Sequence, residues 1–186
     1  MQHPFERIPP DKRQRIFQPF LASTIFIFIV WVLMVSPMSN EKAPFSVSSF
    51  GMAGSLANAR EMMASWDEPA RLSGALGIGF DFLQLIVYST TFAMACGWLA
   101  RMFHRLGWSS ISALGFIIAW GQWLAVLLGT VQNYVMMSLL LGFGSEIGVQ
   151  ISYWATLFKL ILLVLGPVYA ALGGLFWMVR RDTGKG

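Results

Sequence analysis

Asp81 and Lys159 are the residues whose types could do chemistry here, because each sets a full charge inside an otherwise apolar run. An acid and a base in such a place can pair, hold a polar guest or pass a proton, and each needs a partner or a purpose. Counted from one common end of their apolar segments, Asp81 lies about nine residues in, Lys159 about eight, and the amides Gln132 and Asn133 about ten. At ~1.5 Å per residue all four reach a depth of roughly 12 Å. The neighbouring polar and small residues fall in helical stripes: Gly74, Gly77, Asp81, Gln84 and Tyr88, then Gly115, Gln122, Gly129, Gln132 and Met136, then Ser152, Thr156, Lys159, Gly166 and Gly173. Small residues let helices approach and polar ones bond across the seam, so these three stripes should face one another. The candidate site is therefore Asp81, Gln84, Tyr88, Gln132, Asn133 and Lys159.

Two readings of that cluster stand side by side. In one, Asp81 and Lys159 form a buried ion pair whose remaining hydrogen bonds come from Gln132, Asn133 and Tyr88, which would fix helix register. In the other, the cluster is a polar pocket open to the outer side that binds a small molecule or carries protons. Gly166-Pro167 should kink the last helix beside Lys159 and could open a small cavity there.

Other chemistry is poorly provided for. His3 and His104 both fall outside the apolar segments, which argues against paired-histidine haem ligation, and no histidine-rich or carboxylate-rich metal cluster is present. Ser145, in Gly-Phe-Gly-Ser-Glu, has no histidine placed to activate it. Gly77-Ile-Gly79 lacks the strand context of a nucleotide motif. The 11 methionines are scattered, which leaves little basis for a copper site. Cys96 stands alone, cannot form an internal disulfide, and reads as a small packing residue. No catalytic residue, metal or cofactor is expected. Trp120 and Trp123 flank Gln122 and could line a pocket for a quinone, lipid tail or pigment, although packing is favoured. Trp66 and Trp154 at one end, and Trp98, Trp108 and Trp177 at the other, suit two interfacial belts.

The elements that position these residues follow from composition. Of 186 residues, 56% are hydrophobic and 12% charged, against about 25% charged in a typical soluble domain. Four segments reach the ~20 residues that a spanning helix needs: 16–36, 72–100, 110–142 and 151–179. Pro37 closes the first, and Asp67-Glu-Pro69 starts the second with acids at the positive end of the helix dipole and proline in the first turn. No clean small-x-small site follows the first segment (Val35-Ser-Pro37), so it reads as an uncleaved anchor. The third could instead split into hairpin halves near Gly129, but the distribution of basic residues argues against an extra crossing.

The expected fold is a single all-α membrane domain, 1–186: a bundle of four transmembrane helices with a short outer amphipathic helix in the segment 37–71. There Met52, Leu56, Met63 and Trp66 recur at helical spacing. That helix would be a lid over the bundle or, on a sharper reading, a gate or docking surface. The first segment carries no polar stripe and should cover the bundle from the side. Arg7, Lys12, Arg13, Arg15, Arg101, Arg105, Arg180, Arg181 and Lys185 gather on one side, with Lys42, Arg60 and Arg71 on the other, which puts both termini in the cytoplasm. The net charge of +4 is spread over segment ends, with no basic run that would suit nucleic acid.

The stretch Gly79-Phe-Asp81-Phe-Leu-Gln-Leu-Ile-Val-Tyr88, with Trp66 upstream, Asn133 in the third helix and Lys159-Leu160 in the fourth, resembles a family of small, uncharacterised four-helix membrane proteins of bacteria. That family carries Asp-x-x-Glu-Asn in its third helix. Here residues 129–133 read Gly-Thr-Val-Gln-Asn, so Asn133 matches and both acids are absent. The resemblance implies the same four-helix architecture and polar level in a bacterial inner membrane, and no assigned activity. The missing acids favour a structural or neutral-ligand role. The expected function is an accessory or structural subunit of a larger membrane complex or homo-oligomer, or a binder of a lipid-like or quinone-like molecule. A small proton-coupled transporter relaying through Asp81, Lys159 and Tyr88 is the alternative, weakened by the lack of an internal repeat. An intramembrane enzyme would need a nucleophile or metal site that the sequence does not offer.

Overall fold

A computed structural model describes residues 8–183 of the protein, without the side chains of 10, 11 and 178–183. His3, Arg7 and Lys185, and the side chains of Arg180 and Arg181, lie outside the described residues. Helix α1 runs over Pro10–Val35 and passes into a single 3-10 turn, Ser36–Met38. Then come two short helices, α2 (Val47–Gly51) and α3 (Leu56–Ala64), and three long ones, α4 (Glu68–Arg105), α5 (Ser109–Leu140) and α6 (Glu146–Thr183). The described residues include no strand. Four stretches are long and apolar enough to cross a membrane: Lys12–Met38, Glu68–Arg105, Ser109–Leu140 and Glu146–Trp177.

Each long helix is bounded by local chemistry. Asp67 caps α4, its carboxylate accepting from the Ala70 amide at 2.8 Å, with Pro69 in the first turn where its missing N–H costs nothing. His104 and Arg105 sit in the last turn of α4, facing the negative end of the helix dipole. Gly107 (φ 81°) and Gly142 (φ 87°) then reverse the chain after α4 and α5, in a conformation that side chains resist. The Ser145 hydroxyl accepts from the Gly148 amide to start α6. α4 and α6 overrun their apolar segments at both ends and α1 at its start, because these end turns are polar, whereas α5 stops two residues short of 142.

α4 is the central helix. In its most apolar stretch 44% of residues are buried, against 11% in α1. α5 packs along α4, α6 packs mainly along α5 with a smaller contact to α4, and α1 leans on α4. Gly74 and Gly77 depart from the expected arrangement. A β-carbon on Gly74 would strike Met38, and one on Gly77 would strike Val35. Those two glycines therefore admit the end of α1 rather than facing α5 and α6, because small residues accept whichever helix comes to them. Farther along, Thr24 of α1 and Thr91 of α4 share a hydrogen bond of 2.7 Å.

The segment 37–71 corrects a second expectation. It forms two short helices rather than one amphipathic helix, separated by Met52–Ser55, where Gly54 takes φ 73°. The Ser55 hydroxyl caps α3 by accepting from the Asn58 amide at 3.2 Å. Trp66 is not an interfacial residue: it is only 3% exposed and donates its indole N–H to the Met38 carbonyl at 2.8 Å. Its ring meets Phe50 edge-on, with centroids 5.1 Å apart. These two, with Val47, Ala53, Ala59 and Met38, form a core over one end of the bundle. Burying one side chain of this size contributes about 1.5–3 kcal/mol, so α2 and α3 form a fixed cap.

Candidate functional site

The structure brings Asp81, Asn133 and Lys159 together. The Asn133 amide Nδ2 donates to Asp81 Oδ2 at 2.9 Å, and Lys159 Nζ stands 3.8 Å from the same oxygen. That is an ion pair, too long for a direct hydrogen bond. Asp81 is 5% exposed, Lys159 7% and Asn133 0%. Three different helices supply the three side chains, so one oxygen ties α4, α5 and α6 at a single level. Gly129 makes this approach possible: a β-carbon there would strike Leu85 and come within 3.0 Å of Lys159 Cδ.

Gln132, Gln84 and Tyr88 do not bond to the ion pair, contrary to the expectation that Gln132 and Tyr88 would complete it. Gln132 points its amide nitrogen toward Met136 Sδ at 3.7 Å and lies beneath α2. A β-carbon on Gly51 would fall 2.6 Å from Gln132 Nε2 and 2.7 Å from Thr156 Oγ1. Ser152 fastens that contact by donating to the Gly51 carbonyl at 3.1 Å. α2 thus sits directly on the polar level and covers it at the capped end of the bundle. Nearby, Gln150 donates to the Gly54 carbonyl, and Glu146 accepts from the Leu56 amide at 2.9 Å, which adds two further ties between the cap and α6.

Tyr88 serves a different purpose, one the sequence reading missed although its signal was present. Pro167 lies inside α6 and has no N–H for the carbonyl four residues back. That carbonyl belongs to Leu163, and the Tyr88 hydroxyl donates to it at 2.8 Å. The adjacent Leu162 carbonyl accepts from the Gln122 amide at 2.7 Å. Gln122 also fills the place where a cavity was expected: a β-carbon on Gly166 would meet its amide at 2.8 to 3.1 Å. Trp120 and Trp123 face outward, at 43% and 36% exposure, and line no interior pocket. Tyr88→Phe should lower stability by about 1 kcal/mol, read as a fall in the midpoint of chemical unfolding in detergent. An unchanged midpoint would show that the Leu163 carbonyl does not need this donor.

Several buried acceptors, Gln84 Oε1, Gln122 Oε1, Gln132 Oε1 and Asn133 Oδ1, have no hydrogen-bond partner among the described residues. The level is therefore rich in acceptors and balanced in charge, one acid against one base. It holds no nucleophile with an adjacent base, and no group of three metal-ligating side chains occurs among the described residues. Cys96 is free and buried, its sulfur 3.5 Å from the Gly166 carbonyl. What this arrangement can do chemically is tie three helices at one level. No family model, curated protein or solved structure matches the chain.

Proposed function

We propose that this chain is a multi-pass membrane protein, spanning the bilayer through α1, α4, α5 and α6 with both termini cytoplasmic, and that it serves as an accessory subunit of a larger membrane assembly. The four long apolar helices support the membrane placement, and the basic residues Arg101 and Arg105 in the last turns of α4 support the orientation. The resemblance to small bacterial four-helix membrane proteins favours the inner membrane of a bacterium.

One observation carries the accessory role. The charged pair is closed in: Asn133 bonds the acid, Gly129 brings Leu85 and the lysine stem into contact, and Gly51 lies over Gln132 and Thr156. A carrier needs its charges to meet cargo, and an enzyme needs them to meet substrate. A brace needs them to meet each other, and buried ionic groups of this kind are best attested in fixing register. Little of the chain projects beyond the bundle to act alone. Purification in a mild detergent or nanodisc, followed by mass spectrometry and size analysis, should recover the chain in stoichiometric complex with a larger membrane protein. Recovery as a lone monomer would end this reading.

The orientation has its own test. In a Cys96→Ala background, Lys42→Cys should react with an impermeant maleimide on intact cells, and Arg105→Cys only after lysis. The opposite pattern would invert the topology.

A further inference from the structure

Where α4 ends and α5 begins, at the end of the bundle away from the cap, the surface holds a trough of about 600 Å³, inside the roughly 300–1,000 Å³ usual for ligand sites. Its polar lining is Arg101 and His104 from the last turns of α4 with Ser109 and Ser112 from the first turn of α5, and no acid lines it among the described residues. Ser112 is 2% exposed, so the polar lining continues into the seam between the helices. The start of α5 adds to the same field, since it has neither a side-chain cap nor an acid in its first turn. One and two turns farther along the same face of α5 the lining becomes apolar, through Phe116 and Ile117. From Ser109 to Ile117 the helix rises roughly 12 Å.

A site that grades from basic and hydroxylic to apolar over that distance, opening sideways from a helix pair, matches an amphiphile with an anionic head. We infer that the trough seats one anionic phospholipid, its phosphate on Arg101, His104 and the Ser109 hydroxyl and an acyl chain along Phe116 and Ile117. Arg101 already has an interaction within the protein, and the several donors of its guanidinium fork suit a phosphate as a further partner. The trough beside Arg60 and Arg71 at the opposite end is lined by Glu68 as well. An acid beside its two arginines competes there with an anionic head, so it serves as the control. This inference rests on the membrane placement proposed above.

Native mass spectrometry of the full chain in detergent, with equal phosphatidylglycerol and phosphatidylcholine, tests it. The wild type should retain one phosphatidylglycerol in preference, and inorganic phosphate should not displace it. R101Q/H104Q should lose that preference, by about fivefold per basic contact removed, while R101K and R60Q/R71Q keep it. Should R101Q/H104Q fail to fold, Ile117→Trp, at an exposed position that blocks the chain end of the trough, should release the lipid with the basic residues intact. Equal retention of both lipids by the wild type, an undiminished preference in R101Q/H104Q and Ile117→Trp, or displacement by phosphate alone would overturn the site. If the chain meanwhile stays in carbonate-washed membranes, the membrane placement survives that failure. If the chain is recovered in the soluble fraction, both fall together.

Discussion

Asp81→Ala should destabilise the bundle by about 3–5 kcal/mol, and adding Lys159→Met should restore most of that loss. The single change removes the acid that stands within ion-pair distance of the lysine ammonium and leaves a cation stranded among α4, α5 and α6. It also deprives Asn133 Nδ2 of its acceptor. The double change removes the cation as well and puts an apolar side chain of similar length against Leu85, the neighbour that Gly129 admits. Buried ion pairs replaced as a unit by apolar groups are often neutral or better, because two desolvation costs disappear with one attraction. The measurement is a double-mutant cycle by chemical unfolding in detergent. A double variant no more stable than Asp81→Ala would mean that the two charges do not act on each other. Transport or uptake lost in both variants alike, with stability restored in the second, would move the pair from brace to working site.

The second large effect should come from Gly51. Gly51→Val places a branched side chain where Gln132 Nε2 and Thr156 Oγ1 already stand at 2.6 and 2.7 Å from the first added carbon. Neither neighbour can retreat far: Thr156 is held to the Ser152 carbonyl at 2.7 Å, and Gln132 is buried. Overpacking of this kind costs about 1–3 kcal/mol, and the cheapest relief is for α2 to lift from the bundle. Thr156→Cys in a Cys96→Ala background reports the lift directly. It should resist a water-soluble maleimide when residue 51 is glycine and react when residue 51 is valine. Equal protection in both would show that the cap tolerates the added bulk and does not seal the polar level.

Much of this fold is legible in the residues themselves. Long apolar runs carry the four helices because length and hydrophobicity are local properties, and the stripe through Asp81, Gln132 and Lys159 shows because helical spacing is local too. The helix ends ran past the apolar boundaries, since capped polar turns such as Asp67–Pro69 extend a helix without adding hydropathy. The 37–71 segment broke into two helices because Gly51, Gly54 and Ser55 together favour a break over the amphipathic pattern that spans them. Depth alone put Asn133 beside Asp81, and the structure agrees, but depth could not say that Tyr88 reaches Leu163 instead of Lys159. That contact depends on how far α4 slides along α6, which only the assembled bundle determines. Thr24 and Thr91 escaped notice for the same reason: a hydroxyl in an apolar run can bond its own helix, as Thr91 also does to Val87 at 2.8 Å, and nothing local marks the one that crosses to a neighbour.

The carbonyl that Pro167 frees has a consequence for how the chain is made. α6 follows α4 and α5 in the chain, and it carries a buried lysine and a backbone ladder interrupted at Pro167. The groups that repair them, Asp81, Tyr88 and Gln122, belong to α4 and α5, which have already left the ribosome when α6 emerges. The most demanding helix therefore arrives where its partners are waiting. Were the order reversed, with α6 made first, its ammonium and open carbonyl would have to wait unpartnered for α4 and α5.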